Sequence, residues 1–226
     1  MHEMTNIVWS YSSLKTFGQC AKKYYHLKVA KDVVDTGSEA TSYGKDLHKA
    51  AELFIKEGTP LPGKFKFLQP TLDVLNGLPG DKYCELELGV RKTETGYEPC
   101  GFSDADAWWH GVGDLIIVNE EEAYSFDYKS SKNAKYADLT QLDIMAAAIF
   151  TRFPNVKTIK SGLIFVVSNE LVRKVHHSYL RDSYFASFGS ELDRLAAARK
   201  NNVWNTGTGP LCRFCPVVLC EHNRKS

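Results

Sequence analysis

The spacing of hydrophobic positions changes along the chain and divides it into elements. Leu14, Phe17, Ala21 and Tyr25 recur at helical intervals with Lys15, Lys22 and Lys23 between them, predicting a helix from a Ser12 or Ser13 cap to about Lys28. A second helix is predicted from Gly44 to about Glu57, ended by EGTPLPG, and a third from Phe65 to Leu75, ended by NGLPG. The period then shortens to two: in YCELELGV, Glu85 and Glu87 share one strand face and Leu86 and Leu88 the other. HGVGDLIIV and AYSFDYKS flank the tight acidic turn NEEE and read as an antiparallel hairpin. An apolar helix is predicted over Tyr136 to Phe153, then KTIKSGLIFVVS and LVRKVHHSYL as a strand pair around NE, then a long helix from Asp182 to about Lys200. This order predicts an α/β fold, a central mixed sheet of about five strands flanked by helices, because the helix after Lys129 must cover a sheet face.

Composition narrows the picture. The chain has 226 residues, 43% hydrophobic and 24% charged, and no internal repeat, which suits one domain over 1–226 with a core at about 40–200. No apolar run approaches membrane-spanning length, and MHEMTNIVWSYSS lacks the charged and apolar regions of a secretory signal, so a cytoplasmic protein without membrane association is expected. A formal net charge of +1 neither announces nor excludes a polyanionic partner, since local patches act without net excess. Three of the six cysteines, Cys212, Cys215 and Cys220, crowd the C-terminus, while Cys84 and Cys100 read as ordinary thiols.

Candidate chemistry gathers on the hairpin. Asp127 and Lys129 share a strand face, which in isolation is satisfied by a cross-strand ion pair. Asp114, among Val112, Leu115, Ile116 and Ile117 on the partner strand, makes that insufficient: a carboxylate there needs charge compensation. Two carboxylates from neighbouring strands offer hard oxygen ligands to Mg2+ or Mn2+, with Lys129 placed to hold a water. His48 and Glu52, four apart on a helix, can point together at the sheet or form a surface pair. Gln141 opens the next helix, and one of Glu85 and Glu87 can reach a metal shell if the strand presents it. C-x2-C-x4-C at Cys212, Cys215 and Cys220 lets thiolates from one loop converge on a metal, with Cys20 the candidate fourth ligand and zinc with His222 an open alternative.

G-x-x-x-H-x-x-x-E, G-x-x-D, D-x-K and a following Gln, here Gly44, His48, Glu52, Gly111, Asp114, Asp127, Lys129 and Gln141, resemble the PD-(D/E)XK nuclease superfamily, and within it the RecB-like exonucleases that include Cas4. The resemblance implies a restriction-endonuclease-like core and a metal held by His48, Asp114, Asp127 and the Tyr128 carbonyl. Lys129 and Gln141 would then act beside a metal-activated water and a scissile phosphate between Asp127 and Lys129. It implies DNA, through single- or double-stranded ends, as the partner, and exonuclease action in recombination, repair or processing. An endonuclease of the same fold, or an inactive nucleic-acid-binding module with a structural cysteine centre, are the competing expectations. The pattern S-x-L-x-x-F-x-x-C-x-x-K-Y-Y resembles the arrangement in which Cys20, Cys212, Cys215 and Cys220 hold a 4Fe-4S cluster, stapling segments 10–30 and 205–226. Met145 stands where the branch has a tyrosine. For a DNA backbone, Lys22, Lys23, Lys132 and Lys135 are candidate contacts, with Tyr136, Trp108 or Trp109 as stacking surfaces.

Overall fold

Six strands build one mixed sheet: β1 (Asp81–Thr93), β2 (Gly96–Cys100), β3 (Trp109–Asn119), β4 (Glu122–Lys129), β5 (Thr158–Phe165) and β6 (Glu170–His177). The computed structural model describes residues 7–131 and 133–223, apart from the side chain of Tyr136. The lateral order is β2-β1-β3-β4-β5-β6, antiparallel throughout except for the parallel β4–β5 pair, which helix α5 (Thr140–Arg152) connects. The sequence pattern led to five strands. The sixth, β2, was hidden because GYEPC is short and contains Pro99, which a ladder tolerates only at a sheet edge, where β2 lies.

Helix α3 (Glu39–Glu57) starts at Ser38, whose hydroxyl accepts from the Thr41 amide at 3.4 Å, and ends at Gly58 in a left-handed conformation (φ 68°). Its Leu47, Ala50, Ala51 and Ile55 form a stripe that packs, with α4 (Gln69–Asn76), on Leu115, Ile117 and Tyr128 of the sheet. The predicted third helix is two pieces, a 3-10 turn over Gly63–Leu68 and then α4, with Pro70 in the first turn where its missing N–H costs nothing. The opposite face lies under α5, where Leu142 meets Leu163 and Phe165. Because α5 is covered further by α6 (Arg181–Ala186), it is buried nearly all round, and its Ala146, Ala147 and Ala148 permit the close approach. It begins at Thr140 rather than Tyr136, since Ala137 has an extended ψ of 125° that ends a short 3-10 turn.

The described chain forms two compact units, Ser38–Ala186 and the flanking segments up to Gly37 and from Ser187. In the flanking unit, Ser10 and Ser13 exchange hydrogen bonds in a capping box that starts α1 (Tyr11–Gln19). The predicted single helix to Lys28 breaks at Cys20, which caps α2 (Ala21–Tyr24), followed by a wide turn over Tyr25–Ala30. Phe17 meets Tyr24 edge-on at 5.6 Å, and Tyr24 stacks on Trp204 at 6.1 Å. The long last helix is likewise two, α6 in the sheet unit and α7 (Gly189–Asn201) in the flanking unit. No helix among the described residues is long and apolar enough to cross a membrane.

One polar cluster is buried under α5. Asp143 receives His176 Nε2 at 2.8 Å and the Lys174 ammonium at 2.6 Å, and His176, with no exposed surface, bonds through Nδ1 to Ser161 Oγ at 3.1 Å. Burial opposes ionisation of Asp143, but the bonds from His176 and Lys174 outweigh it and hold the carboxyl below its ordinary 3.8. Its stabilisation is therefore complete above about pH 4 and is lost as pH falls through the depressed value. Asp143→Asn is expected to cost about 2 kcal/mol at neutral pH. In thermal melts the gap to wild type should close on acidification below about pH 4, and a gap that widens there would contradict the assignment.

Candidate metal centre

The catalytic candidates meet where the sheet's hydrogen bonding is interrupted. β3 and β4 pair from Asn119↔Glu122 to Leu115↔Phe126 and stop. On the other side, β1–β3 pairing passes from Cys84↔Leu115 to Leu86↔Gly113 without a bridge between. Asp114 therefore stands on a rung between Glu85 and Asp127, with ladder bonds to neither. Its Oδ2 instead accepts the Tyr128 amide at 2.8 Å, so a side chain replaces the missing backbone partner. Glu85 has φ 49°, a left-handed value that is uncommon for a residue with a Cβ and departs from the strand geometry around it. Gly111, three residues before Asp114, is needed for space: a Cβ there would lie 2.6 Å from the Trp109 indole.

His48 reaches this gap from α3. Its Nε2 contacts the Tyr128 carbonyl oxygen at 2.9 Å, and its Nδ1 lies 3.4 Å from Asp114 Oδ2 and 3.9 Å from Glu85 Oε1. His48, Glu85 and Asp114 offer ligand atoms all within 4.8 Å of one another, the only such trio of metal-ligating side chains among the described residues. Asp127 lies beside it: its buried Oδ2 is 2.7 Å from the Lys129 ammonium, an ion pair without hydrogen-bond alignment. Lys129 also donates to Gln141 Oε1 at 3.2 Å, leaving Gln141 Nε2 buried with no hydrogen-bond partner among the described residues. Such an orphaned donor beside an ammonium suits a phosphate or water oxygen.

The electrostatics record a surplus of negative charge. Burial pushes the Asp127 carboxyl up, the neighbouring Asp114 pushes further, and Lys129 and His48 only partly offset them, leaving it at about 6. Glu85 is raised by burial and then by Asp114. Burial pulls the His48 imidazole down, but Asp114, the Tyr128 carbonyl and Asp127 outweigh it and raise it to about 9. The Glu85 and Asp114 carboxyls and the His48 imidazole form a donor set that fits a hard divalent cation, and Asp127 adds negative charge from outside that trio.

The sequence could not choose between Glu85 and Glu87; the register does, placing Glu85 opposite Asp114 while Glu87 pairs two rungs away with Val112. Glu52 is held by Lys49 at 2.9 Å and Lys56 at 3.8 Å, and with Gly44, Lys45, His48, Lys49 and Glu85 it lines an open cavity of about 400 Å³ rather than joining the trio. The Met145 sulfur packs over Gly113, next to Asp114. Trp109 is core at 1% exposure, and Trp108 packs against Phe185, so neither ring is a free stacking surface. Lys135 is exposed, while Lys132 and the Tyr136 side chain lie outside the described residues. Lys22 and Lys23 belong to the flanking unit, as do Cys20, Cys212, Cys215 and Cys220, no three of which have sulfurs within 4.8 Å of one another. There Cys20 Sγ accepts the Lys23 and Gly207 amides at 3.4 and 3.3 Å, and Cys212 Sγ accepts the Gly209 amide at 3.4 Å. Gly207 has no room for a side chain, because a Cβ would collide with the Gln19 carbonyl. Cys20, Cys212, Cys215 and Cys220 are half-buried free thiols.

The family model of the PD-(D/E)XK nuclease superfamily matches residues 8–220. The chain belongs to this superfamily. Membership makes a divalent metal and a nucleic acid substrate the expected companions of the site. Among solved structures, one named "Putative exonuclease" from Eubacterium rectale aligns over 98% of this chain and 89% of its own, at 12% identity and TM-score 0.51, a likeness of fold. The crystal structure of SSO0001 aligns over 99% and 89%, at 13% identity and TM-score 0.47. No curated protein matches the chain by sequence. The sheet and its flanking helices are those of a restriction-endonuclease-like core.

The raised groups give this PD-(D/E)XK site a pH dependence. Between about pH 6 and about pH 9, Asp127 is ionised and His48 keeps its proton, so cation binding must displace one proton. Calorimetric titration with Mn2+ should show affinity rising close to tenfold per pH unit in this range, with one proton released. Affinity independent of pH would remove His48 from the ligand set.

Proposed function

We propose that the protein is a Mg2+- or Mn2+-dependent deoxyribonuclease that hydrolyses phosphodiester bonds from a DNA end. The observation carrying this reading is the interrupted rung, where Glu85, Asp114 and His48 converge and Asp127, paired with Lys129 and so with Gln141, stands on the neighbouring strand. Asp114, Asp127, His48, Glu85 and the Tyr128 carbonyl would hold the cation. When bound, a divalent ion polarises the phosphoryl oxygen and lowers the pKa of water. Lys129 holds the attacking water and offsets charge gathering on the phosphate, and the free Gln141 amide donates to the same oxygens. Attack is in line: the water gives up one proton to solvent, its oxygen bonds to phosphorus as the bond to the leaving sugar oxygen breaks, and the nascent alkoxide takes a proton from solvent. The exonuclease assignment follows the ordered motifs shared with the RecB-like branch.

In the flanking unit, the proposed ligands are Cys20, Cys212, Cys215 and Cys220, holding a 4Fe-4S cluster. Amide N–H groups directed at Cys20 and Cys212 support this reading, since such bonds stabilise thiolates bound to iron.

Asp114→Asn and Asp127→Asn should lose Mn2+ binding and cleavage together, while Lys129→Ala should bind Mn2+ and lose at least about a thousandfold in kcat. Normal turnover by Asp127→Asn protein would refute the reading. An exonuclease degrades linear DNA and spares a closed circle; cutting of the circle would reassign it as an endonuclease. Anaerobically purified protein should absorb broadly near about 400 nm and contain iron and sulfide. Colourless, zinc-loaded protein would establish the zinc alternative.

A further inference from the structure

The mechanism leaves a fully buried histidine unused. His176 has no exposed surface, Ser161 is 3% exposed, and the two with Asp143 form a Ser–His–Asp chain that no substrate can reach. A hydrolytic triad is thereby excluded, and the question becomes what such a polar chain holds in place.

Gln141 sits in the first turn of α5, and among the described residues its side chain's bond within the site is the contact from Lys129 at 3.2 Å. That turn lacks a side-chain cap from Leu139, and the bonds of Asp138 to the Thr140 amide and hydroxyl are exposed to solvent. Leu142 packs this turn on Leu163 and Phe165 of β5, and Asp143, two residues after Gln141, ties it to β6 by polar bonds: Oδ1 meets His176 Nε2 at 2.8 Å, and Oδ2 accepts from Lys174 at 2.9 Å. Ser161 and Lys174 are paired across β5 and β6, and the Tyr184 ring stands edge-on to His176 at 5.2 Å. β5 is also the strand that pairs with β4, with Ser125↔Ser161 in the middle of the ladder and Lys129↔Phe165 at its end. The contacts close into a ring: Lys129, along β4 and across to β5, Ser161, His176, Asp143, Gln141 and back to Lys129.

We propose that the buried Ser161–His176–Asp143 chain is a strut that fixes the height of Gln141 over Lys129, which makes Asp143 and His176 positioning residues for the nuclease site. The proposal rests on the nuclease reading for its purpose, though not for its geometry. A helix start displaced by about 1 Å can cost up to about a hundredfold in rate, whereas Asp143 touches neither substrate nor metal.

The test has two readouts. In metal-free protein, the 15N-labelled side-chain amide of Gln141, assigned by its loss in Gln141→Ala, should shift in Asp143→Asn and in Ser161→Ala. A shift in folded variants upholds the strut even if the wild type cleaves nothing, which would defeat only the nuclease reading. An unmoved signal overturns it, and Ser161→Ala decides alone should Asp143→Asn not fold. In the active enzyme, Asp143→Asn should lower kcat about tenfold with KM unchanged, and adding it to Gln141→Ala should cost nothing further. Losses that multiply would show Asp143 acting independently of Gln141 and overturn the proposal.

Discussion

The Asp114 carboxylate occupies a place in the sheet where a backbone hydrogen bond would otherwise run, and the site depends on that substitution. Continuing both ladders by one step would pair Asp114 with Glu85 and Asp127 and seal the rung with backbone bonds. The strands part instead, Asp114 takes the Tyr128 amide, and the gap admits His48. Three carboxyl groups held this close repel one another, and their shared reluctance to ionise shows in the raised Asp127 and Glu85. The fold concentrates negative charge there, at a cost that a bound divalent ion would offset.

The surrounding architecture serves this gap from both sides. One face of the sheet is covered by α3 and α4, and the apolar stripe of Leu47, Ala50 and Ala51 sets the depth at which His48 meets the strands. Beneath the other face, α5 is the crossover that the parallel β4–β5 pair requires, and its first turn brings Gln141 over Lys129. Topology alone thus supplies the site's groups from a helix, three antiparallel strands and a crossover. The Ser161–His176–Asp143 chain adds rigidity where the helix start has little of its own.

Much of this was legible in the chain because it rests on periodicity and local chemistry. The hairpin across NEEE, the apolar crossover helix and the alternation of Asp127 with Lys129 follow from patterns of two and of three to four residues. β2 was not, since a short segment with Pro99 carries no strand signal and exists only because β1 offers an edge. Breaks at Cys20 and after Ala186 were concealed by continuous helical periodicity, and the start of α5 by an apolar run extending upstream. Glu85 shows the deeper limit. Alternation treats it as equivalent to Glu87, and its selection depends on a left-handed backbone and on register with β3, both tertiary facts. His176 was unreadable for the same reason: within VRKVHH nothing separates it from His177, yet one is enclosed beside Asp143 and the other is only half-buried.

The central claim, that Asp114 and its rung neighbours share one divalent ion with His48, is tested most directly by anomalous diffraction from crystals soaked in Mn2+. The account predicts a manganese peak at bonding distance, about 2.2 Å, from oxygens of Asp114 and Asp127 and from a His48 nitrogen. A peak elsewhere, or none at saturating Mn2+ with these side chains ordered and unblocked, would contradict it.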